Sequence, residues 1–416
     1  MNIVKTINLV ISIIFTVCYS YQFFYILVPF FKREKPHKRA YLNRYAVLIA
    51  ARNEENVIIN LINSIKDQTY PSEYVDIYVV ADNCTDNTAK ICREAGATVY
   101  ERFNKEQVGK GYALDFLLDR IGETHDDGYY AGYFVFDADN VLDKKFIYEM
   151  NRTFCDGHKI VTSYRNSKNY GDNWISAGYG LWYVRESRFL NNSRHLLNTS
   201  CSISGTGFLF SHEILKSCGG WKFFLLTEDI EFTAVNIIRD EKIAFCRHAV
   251  LYDEQPVKFK QSWRQRLRWS KGYLQILGKH GGELLKGIFK GKFACFDLVF
   301  NITPAMFLSI ACVFLDLGFG IYNLIIGENP IILLEALAQI FITAYTTLFL
   351  IGSIATVTEW ERIYCSTPKK ILYAFTFPVF MMTYIPIAVH SLFSKVEWKP
   401  IEHTKAKALD DIVNQK

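Results

Sequence analysis

Long apolar runs lie towards both ends of the chain, and short apolar bursts fill the middle. Ile7 to Phe31 is long enough to cross a bilayer. Lys5 is the one charge before it, no small-residue cleavage site follows, and the basic run Lys32–Arg39 comes next. This pattern predicts an uncleaved anchor with residue 32 onward in the cytosol. From Tyr45 apolar bursts alternate with amphipathic stretches. Tyr45–Ala51 reads as a buried parallel strand. Asn53–Gln68 reads as a helix, with Glu54 and Glu55 near its start and Pro71 beyond its end. Tyr74–Ala81 is the second strand, Thr85–Ala95 a helix stopped by Gly96, and Thr98–Glu101 a third short strand. Gly109–Leu118 opens a helix, and Tyr133–Phe136 is a fourth strand. Such alternation implies an α/β architecture with a mostly parallel sheet, right-handed crossovers and ligands beyond the carboxyl ends of the strands. Asn53, Asp82 and Asp137 fall at such ends.

From Phe293 the chain is membrane-like again. Phe293–Ile326 and Ile331–Thr358 are each long enough to span. Ile371–Phe393 is also apolar but carries Pro378 and Pro386, with lysines on both flanks. The flanking charge favours a re-entrant, interfacial or paired-helix segment over a single crossing. The expected organisation is an anchor at 1–31, a cytoplasmic domain at 44–257, interfacial amphipathic helices at 258–292, a membrane or re-entrant region at 293–394 and a cytoplasmic tail at 395–416.

Composition narrows the class. Of 416 residues, half are apolar and 21% are charged, which fits a soluble domain joined to hydrophobic spans and excludes a disordered chain. The net charge of +5 is modest and the basic residues flank apolar stretches, which indicates membrane lipids as partners and no nucleic acid. Ten cysteines occur without a C-x-x-C pair or a Cys/His cluster, so neither a zinc site nor a disulfide framework is expected.

Three motifs follow one another. Asp137-Ala138-Asp139 ends an apolar strand; paired hard oxygen ligands there suit Mg²⁺ or Mn²⁺ on a diphosphate, although two solvated loop aspartates would look the same. Thr227-Glu228-Asp229 offers Asp229 as a general base for an attacking hydroxyl, or a helix cap. Gln265, Arg268 and Trp269 are spaced to share one helical face. Arg268 can hold phosphate and Trp269 can stack on a sugar. The same basic helix, with Lys258, Lys260, Arg264, Arg266 and Lys271, also reads as one lying on a membrane. Asp82 opens Asp82-Asn83-Cys84-Thr85-Asp86, able both to cap a helix and to bind a nucleoside. Asn53 and Glu54 have the same two readings. Lys110 in Gly109-Lys110-Gly111 is free to approach a diphosphate. Ser204-Gly205-Thr206-Gly207 is small enough for a sugar to lie against, or is a turn.

In this order, over roughly Tyr45 to Trp269, the motifs resemble the membrane-integrated, processive family 2 glycosyltransferases that include hyaluronan, cellulose and poly-N-acetylglucosamine synthases. The resemblance implies a GT-A glycosyltransferase domain with transmembrane helices at both ends. It implies donor contacts from Asn53, Glu54, Asp82, Lys110, Asp137, Asp139 and Arg268, and metal ligation by Asp137 and Asp139. It also implies Asp229 as base, and acceptor contacts from Gly205, Thr206, Glu228, Gln265 and Trp269. Trp398–Thr404 looks like a tail motif common in bacterial members. One amino-terminal span and a short carboxyl-terminal membrane part depart from several synthases, so an oligomer or an export partner would complete a channel. The expected activity is inverting transfer from a UDP-sugar, with UDP-glucose or UDP-N-acetylglucosamine favoured, to a growing glycan that is exported. Transfer of one sugar to a lipid carrier is the alternative, and an inactive partner that binds nucleotide or glycan is the alternative of another class.

Overall fold

The structure is a computed structural model that describes residues 2–302, 314–315, 317–322, 325–326, 331–400 and 403–415. Its α/β part is built on strands β1 (Tyr45–Ala51), β2 (Val75–Asp82), β3 (Thr98–Arg102), β4 (Gly132–Asp137), β5 (Val141–Leu142), β6 (Ile160–Ser167), β7 (Phe208–Ser211) and β8 (Ile243–Asp253). Among the described residues these form one sheet in the order β3-β2-β1-β4-β7-β6-β8-β5. The first four are parallel neighbours. β7 runs antiparallel to both β4 and β6, β8 is parallel to β6, and β5 is antiparallel to β8. The sheet is therefore mixed. The strand–helix alternation that implies parallel pairing stops after Asp137, and the all-parallel order stops with it.

Alternation along β1 divides the core. Tyr45, Val47 and Ile49 pack with Ile58, Leu61 and Ile62 on one face. Ala46 and Leu48 pack with Leu114, Leu117, Trp221 and Phe232 on the other. Both faces are covered, which is why the strand reads as an unbroken apolar run.

Two helices begin later than the pattern predicts, at Ile58 and Thr88. The loops after β1 and β2 are laced together instead. Asn53 sits at φ 57°, and its side-chain oxygen accepts from the Thr85 amide at 2.8 Å. The Glu54 amide donates to Thr88 Oγ1 at 2.8 Å, and Glu55 accepts from the Asn87 amide at 3.0 Å. These polar residues do cap and brace, but across the two loops rather than within their own helices.

Expectations for the apolar segments are met unevenly. Among the described residues, two helical stretches are long and apolar enough to cross a membrane, Leu337–Thr358 and Thr367–Phe393, the second interrupted at Thr383. Both are in the carboxyl-terminal part, not at both ends. The amino-terminal helix Asn2–Phe31 contributes an apolar stretch at Thr16–Phe31. The predicted span Phe293–Ile326 lies partly outside the described residues; its beginning is the helix Phe293–Ile302. The proline-bearing segment is two helices, Thr367–Met382 and Tyr384–Phe393, broken at Thr383. Pro386 has no N–H to offer the Met382 carbonyl, which accounts for the break. Arg266 fills it, donating to Phe380 O at 3.2 Å and Thr383 Oγ1 at 2.7 Å. Arg266 is fully buried, so it is no part of a basic membrane-facing surface.

The tail lies across the α/β domain. The Thr404 and Lys405 amides donate to Glu254, and the helix Leu409–Val413 seats Ile412 against Val141 and Tyr252, covering the β5 edge. Ile401 and Glu402 of the tail motif lie outside the described residues.

A buried ion pair docks the amino-terminal helix. Arg194 grips Asp297 through two bonds of 2.8 and 2.7 Å. The same carboxylate accepts from Tyr25 at 2.8 Å and Tyr21 at 3.1 Å. Asp297→Ala strands the guanidinium and is expected to destabilise the fold by ~3–5 kcal/mol. In thermal unfolding of the detergent-solubilised chain, the double change Arg194→Met/Asp297→Ala should recover much of that loss.

Candidate active site

A cavity of about 590 Å³ opens at the carboxyl ends of β1, β2, β4 and β8 and continues between the amino-terminal helix, Phe293–Ile302 and Ile331–Thr358. Its lining includes Glu54, Asp82, Lys110, Asp137, Asp139, Gly205, Glu228, Asp229, Gln265, Arg268 and Trp269. Eleven of the thirteen residues singled out from the sequence are thus brought together. The other two stand behind the wall. Asn53 is engaged with Thr85. Thr206 accepts from the Asp137 amide at 2.9 Å and donates to Asn140, supporting the strand end.

Each charge has a defined partner. Asp82 is buried and bonds Arg102 at 2.6 Å. Lys110, in the first turn of its helix, donates to Asp137 and to the Gly205 carbonyl at 2.7 Å. Burial works against its charge, yet Asp137 and Glu228 outweigh that and hold the ammonium above the usual lysine range. Asp139 accepts from the Glu254 amide at 2.7 Å. Burial pushes its carboxyl up, but His403 and Lys168 prevail and hold it below the usual range.

The peptide of Gly205 joins the two halves of the site. Its carbonyl holds Lys110 and its amide donates to Asp229 Oδ2 at 2.6 Å. Gly205 has φ 81°, a conformation in which a side chain would be strained. Asp229 lies in the first turn of the helix Glu228–Ile238. Thr227 makes no side-chain cap there, so the capping reading of this motif does not hold for Thr227. Burial raises the Asp229 carboxyl above its ordinary value. Burial, then the Asp229 charge, pushes Glu228 up to about 7. Gln265, Arg268 and Trp269 project from the helix Phe259–Phe289, which comes so close that a Cβ on Gly272 would sit 2.4 Å from Thr227 Oγ1.

A family model described as "Glycosyltransferase like family 2" matches residues 43–272, more than half of the chain. The chain is a family 2 glycosyltransferase. A probable glycosyltransferase YdaM of Bacillus subtilis is 26% identical over 62% of this chain and 61% of its own length. Poly-beta-1,6-N-acetyl-D-glucosamine synthase of Staphylococcus epidermidis is 26% identical over 60% and 61%. Beta-monoglucosyldiacylglycerol synthase of a Nostoc species is 25% identical over 55% and 49%. The chain thus spans about three fifths of the length of the first two and half of the third. The mannosyltransferase PcManGT of Pyrobaculum calidifontis, solved with GDP-Man and Mn²⁺, superposes with a TM-score of 0.58 at 15% identity, covering 94% of this chain and 99% of that one. The fold of this glycosyltransferase is GT-A.

Among the described residues no cluster of three or more His, Cys, Asp or Glu forms a metal site by itself. Asp137 and Asp139 offer hard oxygens on the cavity wall. That donor set fits a divalent cation that takes the rest of its shell from diphosphate and water, and does not fit a closed structural zinc site.

Several residues that line this cavity were not assigned to it from the sequence. Asp253 ends β8 and pairs with Arg165, whose guanidinium also reaches Ser204 O at 2.6 Å and lies over the Tyr183 ring at 3.7 Å. The strand-end rule that selects Asp82 and Asp137 would have selected Asp253 too. His403 bonds Glu54 at 3.0 Å, and Trp398 lies over Arg52 at 5.3 Å. Burial lowers His403, but Asp139 and Glu54 overcome it and raise the imidazole to about 10.

With Glu228 pushed up to about 7 by burial and the Asp229 charge, kcat/KM should fall as pH drops through neutrality and the pair takes up a proton. Glu228→Gln removes the group with the higher affinity for protons. Its acid limb should therefore move to lower pH in initial-rate profiles.

Proposed function

We propose that the protein is an inverting transferase. It moves a sugar from a UDP-sugar, with UDP-glucose or UDP-N-acetylglucosamine favoured, to a hydroxyl acceptor that enters from the membrane-facing end of the cavity. The observation that carries this reading is the Gly205 peptide, which fixes a candidate base, Asp229, against a candidate diphosphate ligand, Lys110. Asp82 is assigned to the uridine, and Lys110 and Arg268 to the diphosphate, with Glu54 behind them. Gln265, Trp269, Gly205 and Glu228 are assigned to the acceptor. Mg²⁺ or Mn²⁺ held by Asp137 and Asp139 would neutralise charge on the leaving UDP.

Asp229 takes the acceptor proton as that oxygen attacks the anomeric carbon opposite the diphosphate, so an α-linked donor yields a β-linkage. Burial keeps water from competing, and the raised proton affinity of Asp229 suits it to receive a proton near neutral pH. The domain at 44–257 faces the cytosol, the helix at 258–292 closes the site at the membrane surface, and the apolar helices hold the protein in the bilayer. Similarity to a poly-N-acetylglucosamine synthase supports processive extension of an exported β-glycan. The apolar membrane-side walls of the cavity, including Phe23, Ile26, Leu348 and Ile351, favour a second reading, single transfer to a lipid-borne hydroxyl.

UDP release by the purified, detergent-solubilised chain against a panel of UDP-sugars with Mg²⁺ or Mn²⁺, with product sizing, tests both. One active donor with a large glycosidase-sensitive product supports extension, and a short lipid-soluble product supports single transfer. Absence of release with every donor overturns the enzyme reading in favour of an inactive binding partner. Asp229→Asn should lower kcat by ~10²–10⁴-fold with UDP affinity nearly intact. Parallel loss of both would remove the base assignment.

A further inference from the structure

The membrane-side end of the cavity holds a charge that the transfer reaction does not use. Arg185 closes the helix Trp174–Arg185 where it runs into the π-helical turn Glu186–Asn191, and it lines the cavity while only 9% exposed. Among the described residues no carboxylate lies within ion-pair distance of its guanidinium. Its partners are Gln22 Oε1 of the amino-terminal helix, at 3.1 Å, and the Trp182 ring, 5.0 Å from the guanidinium carbon. The adjacent Glu186 turns away to accept from Ser204 Oγ at 2.8 Å. Burial lowers the Arg185 pKa to about 10, which leaves it charged at neutral pH. Buried cations are normally paired. The donor side already has Lys110 and Arg268 for its phosphates. A planar guanidinium is shaped for phosphate oxygens, and the wall beyond it is apolar, from Phe23 and Ile26 to Leu348 and Ile351.

We propose that this end of the cavity is an acceptor subsite for a membrane lipid whose head group carries both a phosphate, held by Arg185, and a free hydroxyl, presented to Asp229. The inference rests on the transferase reading and chooses its lipid-borne acceptor. In the step, the head-group oxygen forms a bond to the anomeric carbon, the bond from that carbon to the diphosphate breaks, the proton passes to Asp229, and UDP leaves.

The full chain, in detergent with its active UDP-sugar, is assayed with dioleoyl phosphatidylglycerol, with a farnesyl-diphosphate-linked N-acetylglucosamine, and with dioleoylglycerol, which has a hydroxyl but no phosphate. At least about tenfold higher kcat/KM for either phosphate-bearing lipid supports the subsite, and which one is used identifies the source of the phosphate. Arg185→Gln should abolish that preference chiefly through KM, Arg185→Lys should keep part of it, and UDP affinity measured separately reports that the variants are folded. Equal use of dioleoylglycerol, an unchanged preference in Arg185→Gln, or label only in lipid-free polymer overturns the subsite while leaving the transferase reading standing. No UDP release with any donor overturns both.

Discussion

Among the described residues nine carboxylates, Glu54, Asp82, Asp137, Asp139, Glu186, Glu228, Asp229, Asp253 and Glu254, line one cavity that opens at the carboxyl edge of the sheet. Left alone they would repel one another and resist burial, and much of the surrounding architecture answers that repulsion. Arg102 neutralises Asp82, Lys110 meets Asp137, and Arg165 holds Asp253. The pairs come from different elements, so the sheet, the loops after β1 and β2 and the tail reach their charges only in the folded arrangement. Glu228 and Asp229 have no such direct cation among the described ion pairs. Their response is to bind protons more tightly, which is the property that a base near neutral pH needs.

Coupling between the two halves of the site runs through backbone more than through side chains. The Gly205 peptide contacts Lys110 on one side and Asp229 on the other. Glu231, one turn into the helix that carries Asp229, accepts the Phe224 and Leu225 amides at 2.9 and 3.0 Å and an ion pair from Lys279. Gly272 lets the long helix Phe259–Phe289 lie directly on Thr227. The same helix reaches the carboxyl-terminal apolar helices, through Arg266 to the Thr383 break and through Lys271 to Ser391 O at 3.1 Å. One helix therefore packs on Thr227, two residues before the candidate base, carries the candidate acceptor residues Gln265 and Trp269, and bonds the helices Thr367–Met382 and Tyr384–Phe393.

The amino-terminal half of the domain was legible because a fully buried parallel strand leaves an apolar run that ends abruptly in polar residues. β1, β2 and β4 were read within a residue or two, and the strand-end rule located Asp82 and Asp137. Later strands were obscured. β7 has four residues and β5 has two, too few to show a period. The helix starts at Ile58 and Thr88 were misplaced because Asn53, Glu54 and Thr85 look like local caps while their partners lie some thirty residues away. Arg165, Glu186 and Arg185 were invisible for a different reason. A buried arginine or glutamate is recognised by what surrounds it, and that depends on distant segments coming together: Asp253 for Arg165, Ser204 for Glu186 and the amino-terminal helix for Arg185. His403 was seen as part of a motif, but its pairing with Glu54 joins positions that no local pattern connects.

The covering of β5 by Ile412 has a consequence for how copies of this protein behave side by side. A sheet with an open edge invites another strand to add to it, a hazard that grows where molecules are concentrated on a surface. Here one edge is a two-residue strand hidden beneath the tail helix. The other is β3, only five residues long, with Glu101 turned out to Arg93 at 2.6 Å and Arg102 turned in to Asp82. Neither edge offers a long, flat, apolar row of free amides and carbonyls. Neighbouring molecules crowded in two dimensions are thereby kept from zipping together through their sheets, and any specific self-association must use another face.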